Sequence, residues 1–141
     1  MDRLAGGRIG VVFGSLTPPE ELAREAALAE ELGFGDVWFS EDCFFTGGVS
    51  GLTQLLASTS RVPAGLGLAS VVTRHPAVLA MELAGLARMH PGRVRAAVGL
   101  GNNHWLDQLG LLPAMPCSTA TASSGLPSSS GRSPSTGSSG R

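Results

Sequence analysis

The chain of 141 residues lacks several features that mark common protein classes. Its two cysteines, Cys43 and Cys117, are too few and too far apart for a disulfide or metal framework. We therefore expect free thiols, no metal site and a cytoplasmic location. The formal net charge is −1 without a basic cluster, so we expect no nucleic-acid partner. No apolar stretch approaches the roughly 20 residues of a membrane span, and the polar N-terminus is unlike a signal peptide, so we expect no membrane partner.

The composition changes abruptly after Leu112. Up to that residue the chain is rich in Leu, Ala, Val and Gly, whereas from Pro113 onward Ser, Gly and Pro dominate. Such a segment cannot offset roughly 1–2 kcal/mol of backbone entropy per ordered residue. We therefore predict a folded region over residues 1–112 and a disordered tail over residues 113–141. The tail also has the composition that out-of-frame translation of a GC-rich gene produces.

Four apolar runs in the first region begin about 28 residues apart, which is the length of one βα unit with its return loop. None alternates strictly between apolar and polar residues, as is typical of strands covered on both faces in a parallel sheet. The runs lie at residues 8–14, 36–40, 64–72 and 94–101. With a helical segment between successive runs, the sequence predicts an α/β fold with the order β-α-β-α-β-α-β.

The segments between the runs carry signals for helix starts and ends. T-P-P-E at residues 17–20 is a capping box that places Pro18 in the first helical position, and Gly33 ends this helix. The second helix is predicted over residues 51–59. The third is predicted to begin at Pro76 and to end at residue 89, before H-P-G-R.

Ligands of parallel βα architectures gather at the carboxyl ends of the strands. After the second run, the adjacent acids Glu41 and Asp42 are surrounded by Trp38, Phe44 and Phe45. Two acids beside aromatic side chains suit hydrogen bonding to a polar ring edge, or proton transfer by a carboxyl group of raised pKa. A solvated turn with one helix-capping acid is an equally good interpretation.

The segments after the third and fourth apolar runs carry weaker signals for a functional site. Arg74 and His75 open the third helix, where they either contact an anion or, as we favour, tie the loop to neighbouring strands. After the fourth run, G-L-G-N-N-H-W at residues 99–105 lacks the third glycine and the downstream acid of a dinucleotide fingerprint. This absence counts against a small doubly wound nucleotide-binding protein.

Three segments together resemble a known family. They are L-G-F-G-D-V-W-F-S-E-D at residues 32–42, the stretch from T-R-H-P-A to V-G-L-G at residues 73–101, and N-N-H-W-L-D-Q-L-G-L at residues 102–111. The combination resembles the bacterial luciferase-like monooxygenase superfamily. It is most similar to the branch that uses the deazaflavin coenzyme F420, which includes methylenetetrahydromethanopterin reductase.

The resemblance implies a TIM-like (β/α)₈ barrel that exchanges hydride at a ring lying across the carboxyl-terminal face, and the flavin-using members of the family add oxygen chemistry. It implies coenzyme F420 as cofactor, with FMN as the alternative, and a small-molecule substrate. Glu41 then corresponds to the acid that ends the second strand, and Asp42 stands where many members have histidine. These two residues are the predicted catalytic residues. The residues that the resemblance places at the cofactor are Gly67 and Leu68, joined by a non-prolyl cis peptide, and Gly101, Asn102 and His104.

A complete barrel has eight strands, and only four units are visible. We therefore predict a half barrel that is inactive as this chain, although its family consists of oxidoreductases. The alternative is a non-catalytic half barrel without a function of its own. Its first and fourth strands would be open apolar edges, which favour self-association.

Overall fold

The computed structural model describes residues 9–112. Four parallel strands form one sheet in the order β1-β2-β3-β4, and a helix follows each strand. The strands are β1 (Gly10–Phe13), β2 (Asp36–Phe39), β3 (Ala64–Ser70) and β4 (Val94–Gly99). The helices are α1 (Leu22–Glu31), α2 (Gly48–Ser58), α3 (Pro76–Met89) and α4 (Asn103–Gln108). The predicted order of elements is confirmed, whereas the prediction for residues 113–141 lies outside the described residues.

The two faces of the sheet are covered unequally. On one face Val37, Phe39, Ala64 and Leu66 are fully buried among the helices. On the opposite face, which we call the interior face, Val12, Trp38, Gly65 and Arg95 lie in register. Val12 on this face is 63% exposed. The helices therefore cover only one face of the four-stranded sheet.

The first helix begins later than the capping box predicts. Thr17 is not its N-cap, because α1 starts at Leu22 after a turn in which the Glu21 amide donates to the Pro18 carbonyl. The physical reason is Pro19, whose ring disfavours the helical conformation of the residue before it, Pro18. Leu22, Ala26 and Ala29 are buried, as the helical spacing predicts.

The predicted bounds of the second and third helices are closer to those in the structure. α2 starts at Gly48, three residues before the predicted start, and its glycines allow close packing: a Cβ on Gly51 would overlap the Phe39 ring. α3 has the predicted bounds. The Nδ1 atom of His75 accepts from the Ala77 amide at 3.2 Å, so this side chain caps α3 as a structural residue.

The helix α4 was not predicted. Asn102 caps it by accepting from the His104 amide, and Gly110 follows it with a φ of 67°. Among residues 9–112, no helix is both long and apolar enough to cross a membrane.

Candidate functional site

A cleft of about 210 Å³ opens at the carboxyl ends of β2, β3 and β4. The loops after these three strands, together with α4, supply its walls. Both apolar and polar side chains line it: Glu41, Cys43, Phe44, Leu68, Ser70, Thr73, Arg74, Gly101, Asn102, Trp105, Leu106 and Leu109. Four of the seven predicted site residues are among them, namely Glu41, Leu68, Gly101 and Asn102.

Glu41 is held at the cleft by Arg74. One guanidinium nitrogen of Arg74 donates to Oε1 of Glu41, and the other lies 3.6 Å from Oε2 of Glu82 on α3. The side chains of Glu41 and Arg74 are 13% and 22% exposed. This ion pair joins the loop after β3 to the loop after β2, which agrees in part with the favoured interpretation that Arg74 and His75 tie the loop to neighbouring strands; His75 instead caps its own helix.

Two carboxylate oxygens in this cluster are buried without a hydrogen-bond partner, Oε2 of Glu41 and Oε2 of Glu82. A buried carboxylate oxygen without a donor is costly in free energy. The Oε2 atom of Glu41 also lies beside Gly48, because a Cβ added there would be 2.9 Å from it. Glu41 therefore lies at the cleft with one carboxylate oxygen buried against Gly48 and without a donor.

The Asp42 carboxylate is hydrogen-bonded to a different loop. Ser15, in the loop after β1, donates to Oδ2 of Asp42 at 2.5 Å. Asp42 does not line the cleft. Its carboxylate therefore joins the loops after the first two strands.

The end of β3 contains the cis peptide between Gly67 and Leu68 that the family resemblance implies, so this expectation is confirmed. The Leu68 side chain lines the cleft, whereas Gly67 lies against the Trp38 ring. Ser70 Oγ donates to the Leu100 carbonyl at 2.7 Å and so joins this strand end to the loop after β4.

The loop after β4 turns sharply into α4. Gly101 has a φ of 92°, a conformation that favours glycine. Asn102 lines the cleft, but its side-chain oxygen caps α4. His104 is exposed and does not line the cleft.

Sequence reasoning missed the α4 wall of Trp105, Leu106 and Leu109. An asparagine cap at Asn102, an apolar i, i+4 pattern and a glycine at 110 were the signals that predict such a helix. It also missed the pairing of Arg74 with Glu41, which lie 33 residues apart and meet only because β2 and β3 are neighbours.

The arrangement suits part of a planar, partly polar ligand. Leu68 and Trp105 offer apolar surface, while Glu41 and Asn102 offer polar atoms. The volume is below the roughly 300–1,000 Å³ of typical ligand pockets. The residues present therefore fit one portion of a flavin-like ring, with the remainder of the ligand outside the cleft.

These features define a parallel βα protein whose ligand cleft lies at the carboxyl ends of its strands. The model of the luciferase-like monooxygenase family matches residues 1–105, and the chain belongs to this family.

Three proteins illustrate its relatives. The chain is 29% identical over 114 residues to the 5,10-methylenetetrahydromethanopterin reductase of Methanolobus tindarius, covering 81% of this chain and 35% of that protein. It is 38% identical over 92 residues to the F420-dependent glucose-6-phosphate dehydrogenase of Microbacterium testaceum, covering 59% and 27%. The structure of the coenzyme F420-dependent tetrahydromethanopterin reductase of Methanopyrus kandleri superposes with a TM-score of 0.68 at 26% identity, covering 75% of this chain and 30% of that one.

The chain thus spans about a third of the length of the curated relatives that it matches. Its four βα units are part of a TIM-type barrel, as the sequence predicts. Its family is one of oxidoreductases and monooxygenases, and several of its relatives depend on coenzyme F420.

Proposed function

We propose that this chain carries the amino-terminal half of the ring-binding site of an F420-dependent oxidoreductase. The observation that carries the proposal is the cleft in which Glu41, Leu68, Gly101 and Asn102 meet at the carboxyl ends of neighbouring strands. Carboxyl ends are where barrel enzymes place their active sites. The F420-dependent relatives favour this coenzyme over FMN.

When bound, coenzyme F420 supplies a ring that exchanges hydride with a small-molecule substrate. In our proposal Leu68 contacts the ring face, and the Glu41 carboxylate accepts from a polar N–H at the ring edge. Arg74 orients Glu41 through its ion pair. Asn102 and the Gly101 turn also line the cleft.

We assign Asp42 a positioning role, although it was predicted as a second catalytic acid. Its carboxylate accepts from Ser15 and would have to leave this partner to reach the cleft. His104 would likewise need a different orientation to contact the cofactor, because its side chain is exposed outside the cleft.

The unit we propose is residues 1–112, with residues 113–141 as a separate segment. In the absence of the later barrel strands, we infer that the chain alone is inactive. Phosphate groups of barrel ligands commonly rest on loops after the seventh and eighth strands, which these four units do not include. The alternative, a half barrel without catalytic function, is favoured by the small volume of the cleft.

A chimera tests the proposal. Residues 1–112 replace the matching amino-terminal part of the Methanolobus tindarius reductase, and coenzyme F420 is titrated by fluorescence. We expect saturable micromolar binding, weakened about tenfold by Glu41→Gln, which corresponds to about 1.4 kcal/mol. The control is Glu31→Gln, at an exposed position at the end of α1.

Equal binding by the parent chimera and its Glu41→Gln variant would exclude Glu41 from the ring site. A folded chimera that binds no coenzyme F420 would favour the non-catalytic alternative. Circular dichroism of each variant verifies that it is folded.

A further inference from the structure

One turn beside the cleft has a strained backbone. In the turn formed by residues 42–45, the Phe45 amide donates to the Asp42 carbonyl at 3.4 Å. Phe44 is the third residue of this turn and has a φ of 70°. A positive φ at the third position is the geometry of a type II turn, where glycine is favoured. Among residues 9–112, Phe44 is the one residue other than glycine with a positive φ.

Contacts on both sides of the turn hold this backbone conformation. Before the turn, Glu41 is paired with Arg74. Asp42, the first residue of the turn, accepts from Ser15 in the loop after β1. After the turn, α2 begins at Gly48, which is packed so closely that a Cβ there would overlap its neighbours. Strained residues persist where the surrounding structure enforces them, and they cluster at active sites and ligand clamps.

The Phe44 side chain lines the cleft but has little cover of its own. It is 63% exposed. Its neighbour Phe45 is 50% exposed and does not line the cleft. An aromatic ring in water lacks the free energy that its burial would release. The strained turn therefore presents at the cleft an apolar ring that the described residues leave largely in solvent.

A second aromatic side chain favours a planar ligand in the cleft. Trp105 on α4 lines the same cleft and is half-buried. Phe44 follows β2 and Trp105 follows β4, and β3 lies between these two strands in the sheet. The two aromatic side chains therefore reach the cleft from segments on either side of β3. Aromatic side chains favour stacked or edge-to-face contacts with other planar rings.

We propose that Phe44 covers the coenzyme ring bound in the cleft and excludes water from it. This inference rests on the proposed function, which assigns Glu41 and Leu68 of the same cleft to that ring. A volume of about 210 Å³ is below that of a typical ligand pocket, so the cleft accommodates part of a ring rather than a ring and a substrate together. Phe44 therefore packs on the coenzyme. Exclusion of water from a reacting ring prevents side reactions.

Urea unfolding of the 141-residue chain tests the strain. Phe44→Ala and Phe44→Gly both remove the ring, but only glycine adopts a positive φ without strain. We expect Phe44→Gly to be more stable than Phe44→Ala. At Phe45, whose φ is not positive, we expect the usual order, with Phe45→Ala more stable than Phe45→Gly. The same order at both positions would remove the strain from the argument and overturn the proposal.

The chimera that contains residues 1–112 tests the contact with the coenzyme. Coenzyme F420 is titrated by fluorescence, and the bound coenzyme is then quenched with iodide. Phe44→Gly and Phe44→Ala are each expected to weaken binding about tenfold. Each is also expected to raise the iodide quenching of bound coenzyme toward that of free coenzyme. Phe44→Tyr, which keeps the ring, and the control Phe45→Ala are expected to bind and to be quenched as in the parent chimera.

The outcomes separate this inference from the proposed function. A parent chimera that binds coenzyme F420 as tightly as its Phe44→Gly variant would overturn the role of Phe44 and leave the proposed function intact. Weaker binding with unchanged iodide quenching would show that Phe44 does not cover the ring, and would also overturn the inference. A folded parent chimera that binds no coenzyme F420 would overturn both. Circular dichroism of each variant verifies that it is folded.

Discussion

The two ends of the sheet satisfy their buried polar groups very differently. At the amino end, Glu30 accepts from the backbone amides of Ser60, Arg61 and Val62 at 2.6–3.1 Å. Nearby, Arg93 donates to the carbonyls of Val62 and Leu56 and to the Thr59 hydroxyl. At the carboxyl end, Glu41 keeps a buried carboxylate oxygen without a hydrogen-bond partner.

This difference separates an end whose buried carboxylate is fully hydrogen-bonded from an end whose buried carboxylate is not. The amino-end carboxylate is fully used in tying α1 to the loop before β3, and its side chain is only 10% exposed. The carboxyl-end carboxylate keeps one oxygen without a donor, and this is the group to which we propose that the ligand binds. The same division between a stabilising and a ligand-binding end is general in βα barrels.

A glutamate-to-glutamine substitution at each end tests this comparison. The larger loss of stability is expected at Glu30. Glu30→Gln removes the charge that three amides stabilise and places an NH₂ donor among donors. We expect a loss of about 2–3 kcal/mol in the free energy of unfolding, measured with urea. The control Glu31→Gln, at an exposed neighbouring position, is expected to change it by less than about 0.5 kcal/mol. A loss at Glu30 no greater than at Glu31 would contradict this account.

The pH dependence of stability sharpens the comparison. Burial opposes ionisation of Glu30, but the amides of Val62, Arg61 and Ser60 and the Ser60 hydroxyl outweigh it and lower the pKa from 4.5 to about 2. As the pH falls, Glu30 of the unfolded chain therefore binds a proton at a higher pH than Glu30 of the folded chain. The stabilisation is complete above about pH 4.5 and is lost as the pH falls toward 2.

Urea unfolding at pH 6 and at pH 3 measures this effect. The wild-type chain is expected to lose about 2 kcal/mol more than Glu30→Gln between the two pH values. Parallel pH profiles for the two proteins would show that Glu30 is not the group responsible.

The smallest effect on stability is expected at the carboxyl end. Glu41→Gln leaves Arg74 paired with Glu82 and removes a carboxylate that has one unpaired oxygen. We expect the free energy of unfolding to fall by less than for Glu30→Gln in the same urea measurement, because the loss of the charge paired with Arg74 is partly offset by the removal of a buried oxygen without a donor. A cost equal to that of Glu30→Gln would mean that both ends serve stability alike.

Local sequence patterns predicted the bounds of an element where a single residue or short motif determines them. Pro76 and H-P-G-R determined the bounds of α3, and the spacing of apolar runs gave the strand order. The capping box at Thr17 failed, because it did not account for the effect of Pro19 on Pro18.

The candidate site was predictable only in part, because its contacts join distant segments. The resemblance located Leu68 and Gly101 at the cleft, whereas spacing alone did not. Neither the link from Ser15 to Asp42 nor the pairing of Arg74 with Glu41 and Glu82 follows from local sequence. Such pairs depend on which loops the sheet order makes neighbours.

The most direct test of the central claim, that this chain holds only half of a cofactor site, is a fluorescence titration of the 141-residue chain with coenzyme F420, repeated with FMN. Loss of a phosphate anchor worth about 4 kcal/mol weakens binding about a thousandfold. We predict no saturable binding of either cofactor at micromolar concentrations. Micromolar binding of either one would contradict the claim and show that these four βα units hold the site by themselves.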